Sequence, residues 1–254
     1  MYLSRLLLNP KSRRVVRDLA DCQELHRTIM SAFPSAASPE GARAQFGVLY
    51  RLEQDRRHHR LILLVQSLVS PDWSRLPQDY LAAVPGLENP AVKPVAHLYE
   101  SIAPDTVLAF RLRANPTRKI DTKTGPDGRR RHGRRVELVR EEDQVAWLKR
   151  KAQEGGFELL AVQVRGFTKE EGRKPGPSGS ALTVAGVLFE GYLRVTDPQK
   201  FREHSLVRGV GPGKAYGMGL LSLAPPEGGR DAGQRSAPVT QVPGRSNLSL
   251  CGTL

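Results

Sequence analysis

Residues 1–33 read MYLSRLLLNPKSRRVVRDLADCQELHRTIMSAF, and their order of elements sets the reading of the whole chain. The apolar run MYLSRLLLN predicts a strand. NPKSRRVVRD reads as a basic connection. DCQELHRTIMSAF predicts a helix: Asp21 is a good cap, and Glu24 three residues on completes a capping-box pattern. Leu25, Ile29 and Phe33 recur every fourth residue and form one apolar face.

Working outward, PSAASPEGARA reads as a loop. FGVLYRLE and HRLILLVQSL are strand-like runs around polar QDRRH, which predicts a hairpin. DWSRLPQDYLAAV reads as a short helix or turn, and KPVAHLYESI as one more strand. The first half therefore runs β-α-β-β-α-β.

The second half repeats that order. DTVLAFRLRAN predicts a strand, followed by the charged insertion PTRKIDTKTGPDGRRRHGRR. VREEDQVAWLKRKAQEGG predicts a helix with acids at its start, bases at its end, a Gly155 stop, and Val145, Leu148 and Ala152 on one face. FELLAVQVRGF is a strand, TKEEGRKPGPSGS a polar loop, and ALTVAGVLFEGYLRVT a long strand. DPQKFREHSLVRG is a helix with Pro198 near its first turn, and GLLSLAP is the last strand. The expected fold class is α+β: two tandem ferredoxin-like, split-βαβ domains over 1–100 and 101–224. Residues 225–254 are rich in Gly, Pro and Ser and are expected to form a flexible tail.

Bulk properties narrow the function. The 254 residues carry a formal charge of +13 and are 39% hydrophobic, so a real core and a polyanionic partner are both expected. No run approaches the length of a membrane span. The opening residues lack a basic leader, and Arg5 interrupts their apolar run, so no signal peptide is expected. The two cysteines, Cys22 and Cys251, build neither a disulfide framework nor a zinc ligand set. A cytoplasmic protein without metal or other cofactor is expected.

RGVGPGKAYGMG, residues 208–219, invites a nucleotide reading and fails it. Lys214 is followed by Ala215 where a Walker loop needs Ser or Thr. Tyr216 stands where a dinucleotide fingerprint needs its third glycine. The loop also leaves a helix and enters a strand, the reverse of either motif. Left-handed turns are one use for its glycines. The other is a bare backbone surface at Gly209, Gly211, Gly213, Gly217 and Gly219, with Lys214, for a sugar-phosphate chain. GRRRHGRR, residues 128–135, concentrates Arg129, Arg130, Arg131, Arg134 and Arg135 and suits the phosphates of an A-form stem. Aromatic content is 6%, with no aromatic-rich strand, which favours a structured hairpin over stacked single-stranded bases.

Several features together resemble one family: LLLNP leading to RDLADCQELHRTIMSAF, two ferredoxin-like halves, VREEDQVAWLKRKAQEGGF, and the glycine-rich loop before the last strand. From Met1 to about Pro225 the chain looks like the CRISPR-associated repeat-processing endoribonuclease of the type I-E system, the CasE family, with its RAMP-type fold. The resemblance implies cutting of the precursor CRISPR RNA at the 3′ base of each repeat hairpin, without metal, by attack of a 2′-hydroxyl. The products would be a 2′,3′-cyclic phosphate and a 5′-hydroxyl. It also implies that the mature guide RNA is then retained among the other subunits of Cascade. The family's catalytic histidine maps onto His26, with Arg27 beside it as an RNA contact. The residues alone rank His26 only as a histidine at the edge of a buried helical face. The family often carries a tyrosine three residues earlier. Here that residue is Gln23, which can orient a group but cannot transfer a proton. Tyr216 in the glycine loop is a candidate to stand in. The rival reading is a non-catalytic RNA-binding RAMP-type subunit of the same kind of complex.

Overall fold

A computed structural model describes residues 1–35, 41–120, 134–173 and 179–226. The first half places β1 (Tyr2–Leu8), β2 (Leu49–Asp55), β3 (Arg60–Ser67) and β4 (Ala91–Pro94) in one antiparallel sheet of order β2-β3-β1-β4. Before β2 come α1 (Arg13–Ala20), α2 (Cys22–Met30) and the short α3 (Gly41–Gln45), and α4 (Ala96–Glu100) follows β4.

The second half contributes β5 (Val107–Ala114), β8 (Phe157–Arg173), β9 (Ala181–Val195) and β10 (Leu221–Ala224) in the order β10-β5-β9-β8. A two-stranded ribbon, β6 (Thr117–Ile120) with β7 (Arg134–Glu137), and α5 (Glu141–Glu154) lie between β5 and β8. α6 (Pro198–Lys200) runs into a π-helical turn, Phe201–Val207. In each half the first strand lies between the third and the fourth, which is the ferredoxin-like order.

Alternation along the strands builds two cores. Leu6 and Leu8 of β1, Tyr50 of β2 and Leu63 and Val65 of β3 pack under Leu25, Ile29 and Phe33 of the α2 face. Phe110 and Leu112 of β5 and Phe189 and Leu193 of β9 pack under Trp147, Leu148 and Ala152 of α5. Trp147, rather than Val145, takes the central place on α5, where it is buried.

The opposite faces of the two sheets line a shared groove of about 990 Å³, rich in arginine. Across it Arg51, 2% exposed, donates to the carbonyls of Arg111 (3.1 Å) and Leu220 (3.0 Å) and to Ser222 Oγ (2.9 Å). Glu53 accepts from Arg51 at 2.7 Å and lies 3.4 Å from Arg111, which pairs with Glu190 at 2.5 Å. Burial opposes the charge on Glu53, but the two guanidiniums outweigh it and hold its carboxyl below the usual range.

Four local expectations change. The basic connection contains α1, capped by Ser12, whose side chain accepts from Val15 N, and braced by Arg14 against buried Asp18 at 3.0 Å. Its few apolar residues leave little periodic signal. The polar loop after residue 167 is the continuation of β8, which pairs with β9 as far as Arg173–Ala181. That part of the ribbon lies beyond its own core, so the apolar alternation fades while backbone pairing continues. KPVAHLYESI divides into the end of β4 and α4. Glu24 does not complete a capping box: it pairs with Arg17 at 3.1 Å and with Arg27, while Asp21 alone caps α2. Arg129, Arg130 and Arg131, and the expected tail from residue 227, lie outside the described residues.

Removing the Arg51 guanidinium would take the nearer of two cations from Glu53 and the side-chain donor from the facing carbonyls. Arg51→Ala is expected to cost about 3–5 kcal/mol. Urea unfolding checks this; a change below about 1 kcal/mol would show that the junction does not depend on Arg51.

Candidate active site and nucleic-acid interface

Three pieces of chain, far apart in sequence, meet at the N-terminal half of α2. The first is α2 itself. Asp21 Oδ1 accepts from Gln23 N at 2.8 Å and fixes the first turn. Gln23 and His26 are three residues apart, so their side chains rise from one face, with Cβ atoms about 5–6 Å apart.

The second piece is the far end of β8. Gly172 crosses the start of α2 so closely that a Cβ there would stand 2.6 Å from Asp21 Oδ1 and 2.9 Å from Cys22 Sγ. Burial, with Asp21 and Glu170 nearby, pushes the Cys22 thiol up to about 11. Cys22 is therefore a packed thiol and no nucleophile.

The third is the glycine loop. Gly213 and Gly217 take left-handed backbone, with φ 80° and 78°, on either side of a single 3-10 turn, Lys214–Tyr216. The Tyr50 hydroxyl donates to Ala215 O at 2.6 Å and ties this turn to β2. Gly209, Gly211 and Gly219 also have positive φ, so backbone conformation by itself accounts for all five glycines. At the tip, the Tyr216 hydroxyl donates to Gln23 Oε1 at 3.2 Å.

His26 is half-buried, and its Nδ1 has no hydrogen-bond partner among the described residues. Burial, then the charges of Arg43 and Arg27, push its pKa down to about 4, so the imidazole is neutral at neutral pH. Burial, then Arg43, Arg208 and Lys151, likewise lower the Lys214 ammonium. Among the described residues, the charges that act on either are all cationic. Two half-buried basic groups with cations beside them suit an anion.

Lys214 also opens onto a cleft of about 420 Å³ beside the glycine loop, lined by Arg135, Arg150, Lys151 and Arg208 against the single acid Glu154. The structure thus brings together His26, Gln23, Tyr216 and Lys214, with Gly209, Gly211 and Arg135 along the adjoining cleft. Arg27 is exposed and paired with Glu24. Arg134 enters as the first residue of β7, on the ribbon that bears the arginine-rich insertion. Arg43 and Arg208 escaped the sequence reading. Arg43 sits in a segment read as loop, and its charge matters only because α3 carries it close to His26. Among the described residues no group of three or more His, Cys, Asp or Glu is placed to hold a metal ion, and no helix is long and apolar enough to cross a membrane.

Two ferredoxin-like halves that bring a neutral histidine and a cationic cleft to one side of the glycine loop have the features of a polyanion-binding protein equipped for proton transfer. Residues 1–225 match the family model described as CRISPR associated protein. The chain is 41% identical over 235 residues to the CRISPR-associated endoribonuclease Cse3 of Thermus thermophilus, covering 89% of this chain and all of that protein. It is 30% identical over 227 residues to the CRISPR system Cascade subunit CasE of Escherichia coli, again over 89% of this chain and all of its relative. A solved structure of the CRISPR endoribonuclease Cse3 bound to a 19-nucleotide RNA superposes with a TM-score of 0.70 at 40% identity, over 89% of this chain and all of that one. The protein belongs to this CRISPR-associated family, the one that the sequence resembles.

The setting of His26 makes a testable statement about pH. Its ordinary value is 6.5 and its folded value about 4. Between those values the unfolded chain binds the proton and the folded chain does not. Stability at this residue is therefore full above about pH 6.5 and falls as the pH drops towards 4. In the free protein the His26 ring resonances should titrate near pH 4, and His26→Gln should flatten this part of the stability profile. A midpoint near 6.5 would contradict the buried, cation-flanked setting.

Proposed function

We propose that the protein is an endoribonuclease that cuts CRISPR precursor RNA at the 3′ base of the repeat hairpin and then keeps the mature guide RNA within Cascade. The observation that carries this reading is His26: a neutral imidazole at the meeting point of both halves, beside a basic cleft, with Arg43 and Arg27 as the charges that act on it. The names of its relatives, an endoribonuclease and a Cascade subunit, support the same reading. The site of action is the cytoplasm.

In the reaction the 2′-hydroxyl attacks the adjacent phosphorus, and the bond to the 5′-oxygen breaks. Neutral His26 accepts the 2′-proton. Arg43 and Lys214 offset the charge that builds on the phosphorane. The phosphate also offsets the repulsion from Arg43 and Arg27, the part of the low His26 value that burial does not set. The cleft lined by Arg135, Arg150, Lys151 and Arg208 follows the backbone of the stem, which proteins read mainly by shape. The charge of Arg129, Arg130, Arg131 and Arg134, read from the sequence, suits further phosphates of the stem, and Arg27 contacts RNA beside the cut. Proton transfer by side chains and charge relief by fixed cations together need no metal. Because the product is retained, a slow single turnover suffices.

His26→Ala should lower single-turnover cleavage of a repeat hairpin by about 10²–10⁴-fold while changing RNA affinity by less than about threefold. A deoxy residue before the cut should block the reaction, and a chelator should leave the rate unchanged. Undiminished cleavage by His26→Ala, cutting of the deoxy RNA, or loss of rate with chelator would each contradict part of this scheme.

A further inference from the structure

An in-line displacement places the entering 2′-oxygen and the leaving 5′-oxygen on opposite sides of phosphorus. A single imidazole serving the first cannot also reach the second, so a second group must supply the leaving proton. The region around His26 contains few candidates. Gln23 cannot release a proton. Cys22 is buried in packing under Gly172. Tyr50 is buried, and its hydroxyl is committed to Ala215 O. Lys214, whose charged neighbours are Arg43, Arg208 and Lys151, is assigned above to the charge on the phosphorane, a role that the sulfur substrate below separates from proton donation.

Tyr216 remains. It is half-buried, and its hydroxyl is held 3.2 Å from Gln23 Oε1, on the face of α2 that also carries His26. The Gln23 bond orders the phenol without consuming it, since a hydroxyl that donates to an amide can turn to a better acceptor when substrate arrives. Building on the ribonuclease reading above, we propose that Tyr216 is the general acid of the cleavage, with Gln23 as the residue that positions it.

The step balances. The 2′-oxygen–phosphorus bond forms, the phosphorus–5′-oxygen bond breaks, the 2′-proton passes to His26, and the phenolic proton passes to the 5′-oxygen. Imidazolium and phenolate then exchange with water to restore the starting forms. Burial, then the Cys22 and Asp21 groups, holds the phenol above its usual pKa, so it is fully protonated and ready to donate at neutral pH. A ribose alkoxide is a far stronger base than a phenolate, so the transfer runs downhill. The arrangement also gives Gln23 a role that needs no proton chemistry of its own.

Two substrates test the assignment: native repeat RNA, and the same RNA with sulfur in place of the leaving 5′-oxygen. A thiolate leaves without being protonated. Tyr216→Phe keeps the ring and removes only the hydroxyl. On native RNA it should cut about 10²-fold or more slowly than the parent, with unchanged RNA affinity, and on the sulfur substrate it should match the parent. Gln23→Leu should show the same pattern more weakly. Lys214→Met should be slowed equally on both substrates, because its charge acts on the phosphorane. An undiminished native rate for Tyr216→Phe, or a loss that sulfur does not restore, would overturn the proposal. Rescue of Lys214→Met instead would assign the acid to the lysine and overturn it as well. If the parent protein fails to cut native RNA, the ribonuclease reading itself has failed. That outcome is distinct, because the Tyr216 comparison requires an active parent.

Discussion

The guanidinium of Arg51 is buried where the two halves meet, and the geometry of the site hangs on it. From β2 it reaches the backbone carbonyls of Arg111 and Leu220 and the Ser222 hydroxyl on the other sheet, with Glu53 held against it. Further bonds across the junction are also polar: Gln66 donates to Leu206 O at 2.6 Å, and Tyr50 to Ala215 O at 2.6 Å. An apolar seam would tolerate sliding, whereas directional bonds at fixed donors set one register. Desolvating such charges is costly, and the return is positional. Leu220 immediately precedes β10 and follows the glycine loop. Fixing its carbonyl fixes the loop that delivers Lys214 and Tyr216 to α2.

The chemistry is divided between the halves in the same way. α2 and α3 of the first half bring His26 and Arg43. The second half brings Lys214, Tyr216 and the cleft beside α5. The low pKa of His26 follows first from burial and then from Arg43 and Arg27, which costs stability at acid pH and supplies a neutral base where RNA would bind. The field that attracts the substrate adds to the burial that keeps the imidazole unprotonated.

Much of this was legible in the chain, and the limits have physical causes. Strands and helices with strong alternation, such as the run to Leu8 and the Leu25–Ile29–Phe33 face, declared themselves because burial dictates their pattern. α1 was hidden because Arg13, Arg14 and Arg17 crowd its sequence, and its stability comes from the Ser12 cap and the Arg14–Asp18 pair. The outer part of β8 was hidden because its pairing is with backbone rather than with a core. The glycines at 208–219 looked more numerous than one turn requires, and the loop in fact uses left-handed backbone at each of them. His26 stood out only through the family resemblance. The importance of Arg43 and Arg208 depends on contacts across long stretches of chain, which no local pattern records. Gln23 and Tyr216 could be paired in thought from the sequence, but only the fold brings one to the other across 193 positions.

If the joined halves form a ribonuclease site operating by internal attack, the ends of the products must show it. The most direct measurement is the mass of the two fragments released when the protein acts on a CRISPR repeat RNA. The expected result is one cut at the 3′ base of the hairpin, with a 2′,3′-cyclic phosphate on the upstream fragment and a 5′-hydroxyl on the downstream one. A 5′-phosphate with a free 3′-hydroxyl would mean that water, and not the 2′-oxygen, attacks, and internal attack would have to be abandoned.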